Sequence, residues 1–327
     1  MAKRRRKVCY SGIGGQAVLE GIMMKNKDKY AVAVRKPNGE IEVDIDEYSS
    51  VCKIGFLRKL PFVRGVFSFI DSLVLGMKTL NYSSSFYEED IESETKFDKF
   101  LSKVFKDKAE KVLTGLITFI AVALAIGIFV LLPYYVTAWL TVDARNDSVG
   151  ALIEGVLRIV IFVSYVFLIS LNKDIRRVYM YHGAEHKCIN CIEHGKPLTV
   201  KNVMKSQRLH RRCGTSFLLL VVLISVVLFF FIRVKSPLLR IVVRLLMIPV
   251  IAGIAYEVLR LAGRRENVLV KIISAPGLLL QRITTSEPDE QMVEVAIMAV
   301  ESVFDWKDFL KENFDYVEEV PAKTGEE

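Results

Sequence analysis

All four histidines of the chain lie between positions 182 and 210, and three of its five cysteines lie between 188 and 213. The first group reads Tyr181-His182-Gly183-Ala184-Glu185-His186-Lys187-Cys188. On a helix His182 and His186 stand one turn apart on one face, as a metal requires of two imidazoles. Glu185 is three residues from His182, so it can serve as a ligand or as a general base beside a metal. The order His-x-x-Glu-His is that of the inverted zincin motif. Farther on, His210-Arg211-Arg212-Cys213-Gly214-Thr215 supplies a third imidazole and a thiol.

Three readings of these residues stay open. In the first, His182, His186 and His210 or Cys213 hold a metal with one open position, and Glu185 moves protons. In the second, Cys188-x-x-Cys191 and His210-x-x-Cys213 close a structural zinc site, with a gap near the paired-knuckle spacing. In the third, the histidines are polar residues of a basic interfacial loop. A separate candidate is the glycine-rich run Ser11 to Gly21. It lacks the Gly-Lys-Ser/Thr of a P-loop. Its plain reading is a tight turn before a strand, although Gln16 and Glu20 could reach a site. Cys9 and Cys52 read as buried or incidental.

The elements that must position these groups are mostly apolar. The chain has 327 residues, of which 52% are hydrophobic, and a mean hydropathy of +0.32. Charge is concentrated in the first third, a middle loop and the C-terminus, which predicts membrane spans joined by polar pieces. The first span lies between Lys111 and Asp143, with Pro133 expected to kink or end it. The second runs from Ala151 to Leu171, with Glu154 and Arg158 able to pair four residues apart. The third runs from Thr215 to Ile232. The fourth, Leu238 to Leu261, has only Leu245 to Tyr256 free of charge, so crossing and re-entry both stay open. Its Arg240, Arg244, Glu257 and Arg260 must snorkel or face the bundle.

Lysine and arginine set the orientation. Lys103, Lys106, Lys108 and Lys111 precede the first span. Lys173, Arg176 and Arg177 follow the second, and Arg264 and Arg265 the fourth. These residues outnumber Arg233 and Lys235, and they place both termini and the 172–214 loop in the cytoplasm. The basic Met1 to Lys7 start is then a cytoplasmic tail, with no signal-peptide core after it. The net charge of +8 suits a membrane surface, and no nucleic-acid recognition motif accompanies it. An odd cysteine count with none expected outside argues for reduced thiols.

The polar pieces have their own signals. Residues 30–46 alternate about Lys36-Pro37-Asn38-Gly39, which predicts a β-hairpin. Pro61 to Leu80 reads as a helix with one narrow polar stripe of Arg64, Asp71 and Lys78, lying on the membrane or against the bundle. Ser286-Glu287-Pro288-Asp289-Glu290 reads as a helix start, with Met292, Val295, Ala296, Ala299 and Val303 as the apolar face behind it. From about Asp315 the acidic tail reads as disordered. The expected fold is thus mainly α, a polytopic helical membrane protein of about four spans with a cytoplasmic α+β part. Its regions are 1–110 (hairpin and interfacial helix), 111–171 (first transmembrane hairpin), 172–214 (His/Glu/Cys loop), 215–262 (second transmembrane hairpin) and 263–327 (amphipathic helix and tail).

Gly14-Gly15-Gln16-Ala17-Val18-Leu19-Glu20-Gly21-Ile22-Met23-Met24, Tyr181 to Lys187, and His210-Arg211-Arg212-Cys213-Gly214-Thr215-Ser216-Phe217 occur in that order. Thr284-Thr285-Ser286-Glu287-Pro288-Asp289 and Glu294-Val295-Ala296 follow. Over about residues 10–305 the chain resembles the bacterial YqhQ-like membrane protein family, a domain of unknown function described as a metal-dependent enzyme. Carried over position by position, the resemblance implies His182, His186, His210 and Cys213 as metal residues with Glu185 beside them. Gln16, Glu20 and the segment from Thr285 to Glu287 match motifs as well, so Gln16, Glu20 and Glu287 are candidate site-lining residues. Arg211 stands where the family pattern has proline and Lys25 where it has arginine, and neither change removes a metal donor. Cys188 and Cys191 lie outside the pattern. The expected function is a zinc-dependent hydrolase of a bacterial inner membrane, acting at its cytoplasmic face among membrane lipids. The rival is an assembly or scaffold factor with a structural metal, meeting a membrane-protein or assembly-machinery partner. A transporter is a third option, resting on the few ionisable residues of the spans.

Overall fold

The computed structural model describes residues 8–87, 109–140, 147–232, 234, 236–264, 268–314 and 316–317. The basic start at 1–7, Lys103, Lys106, Lys108, Asp143, Arg233, Lys235, Arg265 and the last ten residues lie outside the described residues.

The N-terminal part is a four-stranded antiparallel sheet, ordered β1 (Gly14–Val18), β2 (Gly21–Asn26), β3 (Lys29–Arg35) and β4 (Ile41–Glu47). The expected hairpin is β3–β4, turning through Gly39 at φ +88. The glycine-rich run is different from the turn expected of it. Gly14-Gly15-Gln16-Ala17-Val18 is itself the edge strand, in register Gln16 to Met23. The turn falls later, with Glu20 at φ +47. Strand alternation gives the sheet two covered faces. Ile22, Met24 and Ala33 join the main apolar core, while Val18, Met23, Tyr30, Val32 and Val34 pack with Leu75 on the other side.

Leu75 belongs to α1 (Val63–Ser84), the expected stripe helix. Its polar stripe is engaged by the rest of the protein, with Asp71 turned inward and Lys78 at the exposed rim. Asp71 is buried and accepts from Tyr48, Ser50 and the backbone of Val51. Arg64 pairs with Glu257 at 2.5 Å and Lys78 with Asp46 at 2.6 Å. Ile70, Leu73, Val74, Met77 and Leu80 are left exposed, so the helix shows its apolar side outward.

Among the described residues, four helical stretches are long and apolar enough to cross a membrane: Gly115–Leu140, Val149–Ser170, Gly214–Phe231 and Leu238–Ala262. The first runs through most of α2 (Ala109–Ile126), a π turn at Gly127–Leu131 and α3 (Leu132–Leu140). Pro133 neither ends nor breaks it. The proline has no N–H to give, and the turn before it widens so that the Leu132 N–H reaches Gly127 O. The second stretch is α4 (Asp147–Ser170). Beyond it, α5 (Lys173–Glu193) and the short α6 (Val200–Met204) lead to the third, α7 (Gly214–Phe231). The fourth is α8 (Pro237–Arg264), one continuous helix through Pro249 and long enough for a full crossing.

Arg158 pairs with Glu154 at 2.8 Å, as its spacing predicts, and Arg244 joins the same carboxylate at 2.6 Å. Arg158 also donates to Ser225 at 2.9 Å, and Arg244 lies over the Tyr134 ring. All three ionised groups are buried between the apolar helices, so the charges answer one another and do not simply sit at helix ends.

The C-terminal part holds α9 (Val268–Thr284), α10 (Glu290–Glu301) and α11 (Trp306–Phe314). The helix start expected at Ser286 falls three residues later. Asp289 is the N-cap, accepting from Met292 N at 2.8 Å. Residues 285–288 stay extended because the Ser286 N–H is bonded to Tyr179 O at 2.9 Å. The α10 face of Met292, Val295, Ala296 and Ala299 is buried against α5 and the sheet.

Replacing Glu154 by alanine leaves two buried guanidinium groups without a counter-charge. Such a loss costs about 3–5 kcal/mol. The expected outcome is a clear drop in the melting temperature of the detergent-purified protein, while alanine at the exposed Leu168 should leave it near wild type.

Candidate metal centre

The helix α5 carries the His-x-x-Glu-His run, and its start is well specified. Asn172 caps it, its side-chain oxygen accepting from Asp174 N at 2.8 Å and Ile175 N at 3.3 Å, with Asp174 in the first turn. Its second half, from Tyr181 to Glu193, is buried almost throughout. His182 and His186 lie one turn apart with ring centroids 4.4 Å from each other.

Each imidazole is oriented by a backbone carbonyl. His182 Nδ1 lies 2.9 Å from Thr284 O, and His186 Nδ1 lies 2.6 Å from Arg208 O. A carbonyl can only accept, so both Nδ1 atoms carry the proton. The Nε2 atoms are then the free donors to a metal. His182 Nε2 lies 3.1 Å from Cys213 Sγ. Cys213 is the N-cap of α7, with Sγ 3.4 Å from Thr215 N and 3.1 Å from Thr215 Oγ1. Thr284 Oγ1 lies 3.3 Å from Thr215 Oγ1 and ties α9 to the start of α7.

His182, His186 and Cys213 each offer a ligand atom, and these atoms lie within 4.8 Å of one another. Burial opposes the thiolate of Cys213, but His182 and His186 outweigh it and hold the thiol well below its usual range. For His182 burial favours the neutral ring, and the facing Cys213 outweighs it, raising the imidazole to about 9, so a metal binding at its Nε2 must displace a proton from that atom. The thiol is thus poised as thiolate, the form that binds metal. Two imidazoles fixed through their far nitrogens and one thiolate are donor types that suit zinc.

The other predicted residues separate. His210 stays near, with its ring 5.6 Å from that of His186. Its Nε2, however, faces Glu193 Oε2 at 3.4 Å, and burial pushes its pKa down despite that partner. Its backbone is clamped by Gln281, which accepts from His210 N at 2.9 Å and donates to His210 O at 2.7 Å. Glu185 is buried next to the cluster, and its carboxylate accepts from Gly15 N at 3.1 Å. A Cβ on Gly15 would lie 2.5 Å from the Met24 sulfur and 3.0 Å from Glu185, so the glycine is needed for close approach of β1 to α5.

Gln16 points to the opposite face of the strand and lies against Gly76 of α1. Glu20 is bound by Arg177, with Nη2 at 2.5 Å, and by Tyr181 Oη at 3.2 Å. Glu287 pairs with Lys187 at 2.9 Å and Arg208 at 3.4 Å. Gln16 and Glu20 therefore brace the α+β part, and Glu287 braces the 206–210 loop. Cys188 is fully buried in the apolar core, and burial raises its thiol well above the usual value. Cys191 donates to the carbonyls of Lys196 and Pro197. The four-residue knuckle of Cys188, Cys191, His210 and Cys213 is not among the ligand groupings of the described residues.

Sequence reasoning missed the residues that hold the ligands in place. Thr284 and Arg208 act through their carbonyls, for which no side-chain signal exists. Gln281 had a signal, a lone amide in the apolar run Leu278-Leu279-Leu280. Glu193 had none. It accepts from Ser11 N and Oγ at 2.9 and 2.8 Å and also pairs with Arg212, so it joins the N-terminal segment to the end of α5.

A bundle of four apolar helices and a small sheet, with a His/His/Cys cluster where they meet, defines the class. A family profile described as "Protein of unknown function (DUF1385)" matches residues 60–306. The uncharacterized protein YqhQ of Bacillus subtilis (strain 168) is 34% identical over 291 residues, covering 87% of this chain and 89% of that protein. The chain belongs to this YqhQ-like, DUF1385 family. No solved structure matches it.

Burial raises the Glu193 carboxyl, but His210, Arg212 and the Ser11 N–H outweigh it and bring it down to about 2 from 4.5. A lowered carboxyl contributes stability above its unfolded value, and that stability is lost as pH falls toward the folded value. The melting temperature should therefore fall between about pH 5 and pH 2. Thermal melts of Glu193→Gln should start lower at neutral pH and show a shallower acid limb than wild type.

Proposed function

We propose that the protein is a zinc-dependent membrane enzyme, a hydrolase whose site faces the cytoplasm at the membrane boundary. The observation that carries the reading is the cluster of His182, His186 and Cys213, with both imidazoles locked by carbonyls so that Nε2 faces inward. Its position supports a membrane substrate, because Cys213 directly precedes the apolar stretch Gly214–Phe231. A lipid-linked compound or a membrane peptide would meet the site there. Lys173, Arg176 and Arg177 at the start of α5 support the cytoplasmic orientation.

A zinc held by His182, His186 and Cys213 would supply Lewis acidity, acidifying a water and polarising a substrate oxygen. The protein's own part is to hold and to move protons. The Thr284 and Arg208 carbonyls keep each imidazole in one tautomer. Thr215 N supports the sulfur of Cys213 as an anion. Glu185, fixed by the Gly15 N–H, is the carboxylate that takes the proton of the attacking water. The apolar core around Cys188, Ile189 and Met292 excludes bulk solvent from this side.

Metal analysis of the detergent-purified chain tests the reading. About one zinc per chain is expected, lost in His182→Ala and Cys213→Ser and kept in Cys188→Ser. In the cobalt-loaded protein a thiolate-to-metal band should be present and should vanish in Cys213→Ser. Glu185→Gln should keep the metal, whereas loss of metal there makes Glu185 a ligand. Metal lost only with Cys188→Ser would favour a structural site and the assembly-factor role. No metal in any chelator-free preparation would remove the enzyme reading. A reporter fused after residue 327 should be active only as a cytoplasmic fusion.

A further inference from the structure

On the α1 side of the sheet, away from the His/Cys cluster, lies a cavity of about 560 Å³. Six cations line it: Lys25, Lys27, Arg58, Lys59, Arg64 and Arg260. Arg64 is paired with Glu257. The other five form no salt bridge among the described residues. Among the described residues the lining carboxylates are Asp28 and Asp71, and Asp71 is already engaged by Tyr48, Ser50 and Val51 N. Even with Glu257 counted, the walls carry a net positive charge. Lys25 is half-buried over the Tyr48 ring, 2.8 Å from its centroid. Burial takes it down to about 8 against the opposing pull of Asp71. So many like charges around one hollow repel one another, and an anion inside it would relieve that repulsion.

The surroundings say where the anion comes from. Tyr256 and Arg260 line the cavity from the last turns of the apolar stretch Leu238–Ala262. On α1, Phe67 and Ser68 line it, while Ile70, Leu73 and Val74 just beyond are exposed. A cationic hollow at the end of an apolar span, beside an outward-facing apolar helix, fits a phosphate with acyl chains attached. Arginine forks suit phosphate oxygens, and lysines add point charge.

We propose that this cavity is a phosphate-headgroup site that takes an anionic phospholipid from the membrane. The same cations would accept a soluble phosphate monoester, so the source is a matter for the test. The site shares no residue with the His/Cys cluster, and it stands whether or not that cluster holds metal.

The test measures binding of three probes to the full-length, detergent-purified chain by calorimetry: dihexanoyl phosphatidic acid, dihexanoyl phosphatidylcholine and glycerol 3-phosphate. Phosphatidic acid should bind and phosphatidylcholine should not. Arg58→Gln/Lys59→Gln/Arg260→Gln should weaken phosphatidic acid at least about tenfold. Lys173→Gln/Lys201→Gln/Lys205→Gln, which removes three cations elsewhere, should bind as wild type. Glycerol 3-phosphate binding much weaker than phosphatidic acid supports the lipid source. Binding of equal strength keeps the phosphate site but overturns the lipid source. Should the triple variant melt early, Lys27→Gln/Lys59→Gln, at two exposed positions, serves in its place. Equal affinity of the cavity variant and wild type for phosphatidic acid overturns the proposal. So does phosphatidylcholine binding as tightly as phosphatidic acid.

Discussion

Gly183 has no side chain, and the carbonyl of Ser286 occupies the space a Cβ would need. This close approach seats the extended segment after α9 directly on α5. The Ser286 N–H is bonded to Tyr179 O, and the Thr284 carbonyl accepts from His182 Nδ1. Thr284 Oγ1 reaches Thr215 next to Cys213. One seam therefore sets the tautomer of one candidate ligand and the position of another. It also sets the entry angle of α10, whose Asp289 cap follows three residues later. A side chain at position 183 would push the strap away and leave the cluster without its orienting carbonyl.

Several buried polar groups around this seam are paired. Lys187 would be costly in the core, yet its ammonium donates to Met204 O and Ser206 O and pairs with Glu287. Asn190 donates to Gln207 O and Leu209 O. Arg208 and His186 bind backbone carbonyls, and Gln281 clamps His210. These bonds hold residues 205–210, which have no helix or strand of their own, against one face of α5. The loop is shaped by side chains of the helix it covers, which is the support a preorganised donor set needs.

The sheet divides two kinds of surface. Gly15 and Met24 face α5 and α10, and Gln16, Met23 and Lys25 face α1. The first face is apolar and carries the His/Cys cluster at its edge. The second carries Asp71 and the cationic hollow. Period-two alternation in a single edge strand thus sends neighbouring residues of one motif to different tasks.

Much of this was legible along the chain. Apolar run length marked three spans and left the fourth open, because a bilayer demands about 20 apolar residues whatever the packing; the continuous helix Pro237–Arg264 came only with the structure. Alternation about Asn38-Gly39 marked the hairpin, and the spacing of His182 and His186 placed two imidazoles on one helix face. These are local rules, and local sequence decides them. Tertiary structure alone decided the rest. It brought Cys213 to 3.1 Å from His182 across thirty residues, turned His210 toward Glu193, and gathered Glu154, Arg158 and Arg244 from two helices. It also made Gly14 to Val18 a strand, because glycine permits close approach as readily as a turn and only the neighbours choose between them. Backbone carbonyls such as Thr284 O are the same in every residue, so their role arises from where the fold puts them and from nothing in the side chain.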